Sequence, residues 1–353
     1  MTKFKLRQSD PARILIRGAN WVGDAIMTTP VIRAVRKNFP EAEIFILVKP
    51  WVAPVFHNNP FVDSVLIYDD SGRHKKGWGT IRLAKDLRQY NFDLTVLMQN
   101  AFEAALITFL AGIPERLGYN TDGRALLLNR CIKLDPKLKR VHLIDYYRGI
   151  LKGGGLYDDG GTLDLFISDH EKQKAEKTLQ DNGIDILKPV IAINPGATGG
   201  TAKRWFPNRF AKLSAKLAEH FGVKVLIFGG PGDNTLGEQI SGLSGDVCVN
   251  LAGKTNLAQA FALIERCSLF ITNDSGLMHA AAALGINQVA IIGSTNHITT
   301  PPANTNSRIV RVPVHCSPCM KPECRYEHHQ CMDKISVDMV FKEAVAMMEN
   351  SNP

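Results

Sequence analysis

The 353-residue sequence has no apolar run near the ~20 residues that a membrane-crossing helix needs. Its first ten residues, MTKFKLRQSD, are polar and hold no signal-peptide core. Seven cysteines in a chain of this length do not make the disulfide framework of a small secreted domain. A cytoplasmic location is the expectation. No glycine loop reads Gly-x-Gly-x-x-Gly with an acid about 20 residues on, which argues against an NAD-type oxidoreductase. The stretch GATGGTAK, residues 196–203, lacks the spacing and the Gly-Lys-Ser/Thr ending of a Walker A loop. A non-catalytic binding protein using a basic surface is the other alternative. The chain has no basic–aromatic repeat or nucleic-acid module to support it, and no nucleic-acid partner is expected.

What is present suits a soluble globular protein. Hydrophobic residues make up 45% and charged residues 22%, which is ordinary globular composition. The length is too great for one core and comfortable for two domains. The formal net charge is +8 and is unevenly placed. Residues 1–165 hold 24 Lys and Arg against 17 Asp and Glu, leaving +7, and the remainder holds 18 against 17. The N-terminal half is therefore expected to face something anionic.

Both halves begin with the same pattern. Residues 13–17 (RILIR) form a short apolar strand that runs into Gly18-Ala19-Asn20-Trp21-Val22-Gly23-Asp24, and a helical pattern follows to Phe39. In the second half the strand is 190–194 (VIAIN). The loop is Pro195-Gly196-Ala197-Thr198-Gly199-Gly200, followed by a helix from Pro207 to Phe221. Solid apolar strands alternating with helices predict parallel sheets covered on both faces. The expected fold is α/β, with two Rossmann-like domains. The first spans 1–170 and the second 171–335. Residues 336–353 add a helix that could pack back across the domains, with Ser336 as N-cap and Val337, Val340, Phe341, Ala344, Val345 and Met348 on its apolar face.

Open parallel sheets bind ligands at the carboxyl ends of their strands, so the loops there are the candidate sites. Asp24 opens a helix directly after a strand and could take a proton from a hydroxyl nucleophile; it is equally a common first-turn helix residue. In the loop from Thr198 to Trp205, glycines let a ligand approach the backbone. Lys203, with Arg204 beside it, could neutralise a diphosphate. Asp233 follows the next strand and could meet a ribose, or serve a plain turn. The turn Asn273-Asp274-Ser275-Gly276 leads into an alanine-rich helix carrying His279. Its free N–H groups and positive dipole end suit a diphosphate.

Taken together, Asn20–Ala25, Lys203–Trp205 and Asn273–His279 resemble the ADP-heptose:lipopolysaccharide heptosyltransferases, glycosyltransferase family 9. The likeness spans almost the whole chain, and Asn20–Asp24 is closer to the heptosyltransferase II branch than to the heptosyltransferase I branch. The resemblance implies a GT-B architecture, with the two domains facing a central cleft. It implies inverting transfer of L-glycero-D-manno-heptose from ADP-heptose to a heptose of the lipopolysaccharide inner core, with branches I and III as alternatives. Asp24 would be the general base and Lys203 the group that stabilises the departing ADP. Thr198, Lys203 and the backbone at Asp274, Ser275, Gly276 and Leu277 would hold the diphosphate. Asp233 would contact ribose, Thr255 would line the adenine pocket, and His279 would touch diphosphate or heptose. No Asp-x-Asp pair stands where a metal-dependent transferase would hold its ion, so no cofactor is expected for catalysis.

The implied acceptor, heptosyl-Kdo2-lipid A, carries carboxylates and phosphates at the inner leaflet of the inner membrane. The basic N-terminal half fits it. Arg73, Lys75 and Lys76 in the loop 71–78, with Arg116 and Arg124, are expected to grip the acceptor or the membrane surface, so the enzyme would sit peripherally on the cytoplasmic face. The spacing Cys316-x2-Cys319-x4-Cys324-x6-Cys331 could form a structural zinc site, disulfides, or reduced buried thiols. Cys131, Cys248 and Cys267 lie in apolar contexts and are expected in the core.

Overall fold

A computed structural model describes residues 10–349. The first nine residues, which carry most of the polar start, and the last four, 350–353, lie outside the described residues. The chain divides into two units between Phe166 and Ile167.

The first unit holds β1 (Arg13–Arg17), β2 (Glu43–Val48), β3 (Ser64–Ile67), β4 (Leu94–Leu97), β5 (Glu115–Tyr119) and β6 (Arg130–Ile132). They form one sheet in the order β3-β2-β1-β4-β5-β6, and every pairing is parallel. Ile14, Leu15 and Ile16 of the central β1 are all buried, as a strand covered on both faces must be. Its helices are α1 (Val22–Met27), α2 (Thr29–Asn38), α3 (Trp78–Arg88), α4 (Phe102–Leu110) and α5 (Leu143–Gly154). Leu15, Phe45 and Leu47 pack against Leu83 and Leu87 of α3 and Ile107 of α4. The pattern read as one helix to Phe39 is two. Thr28 separates them, because Pro30 has no N–H to continue the ladder. Arg33 of α2 ties the end of the unit back onto it through Asp159 at 2.8 Å and through Asp164.

The second unit repeats the plan. Its strands are β7 (Ile191–Asn194), β8 (Val225–Ile227), β9 (Cys248–Asn250), β10 (Leu269–Asn273), β11 (Gln288–Ile291) and β12 (Ser307–Val310). They pair in parallel in the order β12-β11-β10-β7-β8-β9. The helices are α6 (Asp169–Asp181), α7 (Pro207–Phe221), α8 (Asn234–Leu243), α9 (Leu257–Glu265), α10 (Gly276–Ala283), α11 (Gln330–Asp333) and α12 (Val337–Glu349). One face of the sheet, with Ile191, Ile193 and Ile271, packs on Phe210 and Leu213 of α7 and on Val340 and Ala344 of α12. The other face, with Ala192, Leu226 and Phe270, packs on Leu179, Leu263 and Ala281. The terminal helix thus belongs to the core of the second unit. Met347 is buried on that face and Met348 only partly. Fully burying a side chain such as Phe210 is worth roughly 1.5–3 kcal/mol.

Among the described residues no helix is long and apolar enough to cross a membrane. Cys248 and Cys267 are buried as expected, but Cys131 is exposed. It lies on β6, an edge strand whose outer side no further strand covers.

Candidate active site

In the second unit, β10, β7, β8 and β9 are neighbours. The loops leaving their carboxyl ends carry Asp274–Leu277, Thr198–Lys203, Asp233 and Thr255 in turn. Parallel pairing therefore brings all the candidate donor residues to one sheet edge, although they are scattered from residue 198 to residue 279 along the chain. His279 is buried in the second turn of α10. Thr198 is exposed, and Thr255 is half-buried at the bend before the α9 N-cap, Asn256. A groove of about 500 Å³ in this unit is lined by Lys188, Pro189, Lys224 and Asp246. It lies at the opposite, amino ends of the strands, where an open parallel sheet holds no ligand.

The turn after β10 is built for its shape. Ser275 caps α10 by accepting the Met278 N–H at 3.3 Å. Asn194, at the end of β7, donates to Ser275 Oγ at 2.8 Å and to Thr272 Oγ1 at 3.0 Å. Asn273 accepts from the Trp205 N–H at 3.1 Å and donates to the Pro195 carbonyl at 2.7 Å. It thereby clamps both ends of the glycine loop to the helix turn. Trp205 is buried and donates its indole N–H to the Ile335 carbonyl at 3.0 Å. Lys203 Nζ lies 3.8 Å from Asp274 Oδ2. Arg204 faces Asp233 at 3.6 Å, and Asp233 also accepts the Gly230 N–H at 3.0 Å. The Asp233 carboxylate lies over Gly196, where a Cβ would come within 2.4 Å of it.

Asn194 and Asn273 escaped the sequence reading as site residues. For Asn194 the only signal was a polar side chain ending an otherwise apolar strand, while Asn273 stood in a turn already singled out but with no role given to its side chain. Asn273→Ala strips partners from the buried Trp205 N–H and Pro195 carbonyl. It is expected to cost about 1–3 kcal/mol for each group left unsatisfied, read as a lower urea midpoint. A midpoint equal to wild type would show that the clamp adds nothing to stability.

In the first unit Asp24 is half-buried in the first turn of α1, which follows the carboxyl end of β1. Tyr147 of α5 is pushed well above the ordinary phenol range by burial and then by the Asp24 carboxylate, so it stays neutral. The loop leading to Asp24 is braced at Asn20. Its side chain accepts from Arg17 at 2.8 Å, and its carbonyl accepts the Trp51 indole N–H at 2.9 Å. Arg17 is itself buried, which lowers its pKa to about 10. Beside it, Lys49 stands 2.5 Å from Asp70 and 3.5 Å over the Tyr68 ring, and Tyr68 donates to Glu103 at 2.8 Å. The sequence reading missed this polar cluster, because its members look like ordinary residues at strand ends and, for Glu103, at a helix start.

The expected acceptor residues separate into two groups. Lys75, Lys76 and Trp78 are exposed. Arg73 is exposed but makes a two-pronged pair with Asp86, at 3.0 and 2.9 Å. Arg124, by contrast, is fully buried. It donates to the Tyr119 carbonyl at 2.9 Å, to Asn100 Oδ1 at 2.8 Å and to the Gln99 carbonyl. This corrects its expected place on a ligand-gripping surface, since its charge ties the loops after β4 and β5 together. Arg116 is half-buried, donates to the Leu127 carbonyl at 2.6 Å, and lies 5.3 Å over the Phe109 ring.

Two six-stranded parallel sheets of Rossmann type, each covered by helices, match the GT-B glycosyltransferase architecture. Residues 80–330 match the family described as glycosyltransferase family 9 (heptosyltransferase), and the chain belongs to it. It is 31% identical over 352 residues to lipopolysaccharide heptosyltransferase 2 of Escherichia coli strain K12, covering 95% of this chain and 98% of that one. It is 33% identical over 311 residues to lipooligosaccharide heptosyltransferase 2 of Haemophilus influenzae, covering 85% and 88%. The solved structure of E. coli ADP-heptose lps heptosyltransferase II matches with a TM-score of 0.82 at 29% identity, covering 97% of this chain and all of that one. A family 9 transferase from Veillonella parvula shares the fold, with a TM-score of 0.84 at 23% identity over 96% and 98% of the two chains. The oxidoreductase and non-catalytic alternatives fall with this assignment.

Proposed function

We propose that the chain transfers L-glycero-D-manno-heptose from ADP-heptose to the first heptose of the lipopolysaccharide inner core, with inversion and without a catalytic metal. The observation that carries this reading is the near-full-length likeness to enzymes named heptosyltransferase 2. Asp24 takes the proton from an acceptor hydroxyl. The oxygen attacks the anomeric carbon on the face opposite ADP and forms the new C–O bond. The bond to the diphosphate breaks, and its electron pair leaves with ADP. Lys203 and the N–H groups at Asp274–Leu277 compensate the charge that develops there. Thr198 adds to the diphosphate cradle, Asp233 holds ribose, Thr255 borders adenine, and His279 faces the diphosphate or heptose. Lys203 takes the electrostatic role that a divalent ion plays elsewhere, so adding or omitting Mg²⁺ should leave the rate unchanged.

The test is transfer from ADP-heptose to Kdo2-lipid A acceptors bearing zero, one or two heptoses. The one-heptose acceptor should be used best. Preference for the bare acceptor would move the chain to the heptosyltransferase I branch, and preference for two heptoses to branch III.

The acceptor is assigned to the first unit and its lipid to the anionic cytoplasmic leaflet, with peripheral attachment. Supporting this, α3 exposes Trp78 and Ile81 a few residues after the exposed Lys75 and Lys76, and the neighbouring α4 exposes Phe102 and Phe109. Exposed apolar side chains together with lysine suit a membrane surface. Replacing Arg73, Lys75 and Lys76 by Ala should remove about 1 kcal/mol per basic residue near an anionic surface. The acceptor KM should rise roughly tenfold or more, with the ADP-heptose KM unchanged. Unaltered acceptor kinetics and vesicle binding would count against this face.

A further inference from the structure

Cys316, Cys319, Cys324 and Cys331 line a single cavity of about 20 Å³ in the second unit, and Ser294 completes its wall. All four are free thiols. The room is that of about one small ion or water. They come together from residues 311–331, of which 311–329 contain no helix or strand. A stretch of that length without secondary structure of its own is uncommon in a folded domain. Three of its non-glycine residues, Met320, Glu327 and His329, have φ of 55°, 59° and 42°. Such backbone persists only where its surroundings over-determine it.

Ser294 supplies an independent observation. Its side chain is buried, and its Oγ has no hydrogen-bond partner. A buried hydroxyl without an acceptor is costly and calls for an explanation. A thiolate ligated to a metal, retaining negative charge on sulfur, is the acceptor this hydroxyl lacks. Arg325 and His328 also line the cavity and can offset the net negative charge of four thiolates around a divalent ion.

We propose that Cys316, Cys319, Cys324 and Cys331 bind one thiophilic divalent cation, zinc or iron, in a four-sulfur site, with Ser294 donating to a ligating sulfur. An all-sulfur donor set selects such ions over magnesium or calcium. Among the described residues, no three Cys, His, Asp or Glu side chains stand at ligating spacing. Ligation requires the four sulfurs to move inward on the cavity they share. Each thiol loses its proton to solvent as its S–metal bond forms, so uptake releases acid.

The site's role follows from what the segment touches. The Pro322 carbonyl accepts the Ala202 N–H at 3.0 Å, and Pro322 O lies 2.0 Å from where a Cβ on Gly200 would stand. The Met320 N–H donates to the Ser294 carbonyl at 2.9 Å, and Ser317 Oγ to the Gly293 carbonyl at 2.6 Å. The cysteine segment is thus the seat of the glycine loop that carries Lys203. The ion fixes that seat at a distance from the chemistry. This second step rests on the donor role proposed for the loop, whereas metal binding does not.

The experiment uses the full chain without a polyhistidine tag, grown with zinc or iron in the medium. Elemental analysis should find about one zinc or iron per chain, lost in Cys324→Ser and Cys331→Ser. Ser294→Ala keeps every ligand and should weaken metal affinity by ~10–100-fold, which keeps the site testable if the cysteine variants do not fold. Removing the ion from wild type with a strong chelator should lower Tm and raise the ADP-heptose KM more than the acceptor KM. Metal-free protein with four titratable thiols, or with disulfides in their place, would overturn the site. Bound metal whose removal leaves the ADP-heptose KM unchanged would overturn the seat. Failure of the donor assignment would instead appear as metal-replete protein that ADP does not stabilise.

Discussion

Asp24→Asn lowers kcat by ~10²–10⁴-fold, the usual contribution of a positioned general base, and leaves the ADP-heptose KM near wild type. The side chain is well placed for such a loss. It stands in the first turn of α1, at the carboxyl end of the central strand β1. Its approach loop is held from two sides at Asn20, by buried Arg17 and by Trp51. Asparagine keeps the shape and helix-start preference of aspartate but cannot accept a proton at neutral pH. Activity should therefore fall without a drop in Tm. A merely structural Asp24 would show the reverse, a lower Tm with near-normal kcat in the folded fraction. The pH profile adds a second reading, because loss of a base should remove the acid limb of kcat. Wild-type kcat in the Asp24→Asn enzyme would refute the proposed base.

Lys203→Met lowers kcat by ~10²–10³-fold, the magnitude seen when one preorganised group facing a developing anion is lost. Lys203 Nζ stands 3.8 Å from Asp274, whose side chain is only 10% exposed. The pair holds the ammonium group at the mouth of α10, where the turn already offers N–H groups to an anion. Removing Lys203 leaves the Asp274 charge uncompensated beside the proposed diphosphate site, so ADP should also bind more weakly. Lys203→Arg restores charge but not the compact ammonium geometry, and should recover part of the lost rate. The Lys203→Met variant should show weakened product inhibition by ADP alongside the lower kcat. A kcat loss in Lys203→Met with unchanged ADP affinity would confine the residue to the transition state. Normal values for both would remove it from the site.

The two largest expected effects are placed on residues that the sequence itself singled out, and the reason is local. Asp24, Lys203 and the Asp274–His279 turn each sit where a short apolar strand stops and a helix begins. Strand alternation, glycine and proline placement and caps are set by residues within a turn or two of one another. The Ser275 cap and the Ser336 cap, whose Oγ accepts the Met339 N–H at 3.2 Å, are cases in point.

Arg124 and Cys131 show where that reading stops. Arg124 looked like one more cation in a basic half, yet carbonyls from the loops after β4 and β5 close around it and bury it. Cys131 sits among apolar neighbours in sequence but on an uncovered edge in space. Whether a polar or sulfur-bearing side chain is buried depends on what distant chain faces it, and hydrophobic period carries no record of that.

The sequence alone determined that this protein is an α/β glycosyltransferase of two units, and it supplied the proposed base in the first and the proposed donor loops in the second. These features rest on short-range pattern: apolar strands, turn residues and helix starts in fixed succession. Only the tertiary structure decided that Asn194 and Asn273 lock the loops after β7 and β10 together, that Arg17 braces the loop before Asp24, and that four cysteines share a cavity beneath the glycine loop. The clamps at Asn194 and Asn273 join residues 81 and 68 positions apart. Parallel pairing creates such contacts, and no local stretch of sequence contains them.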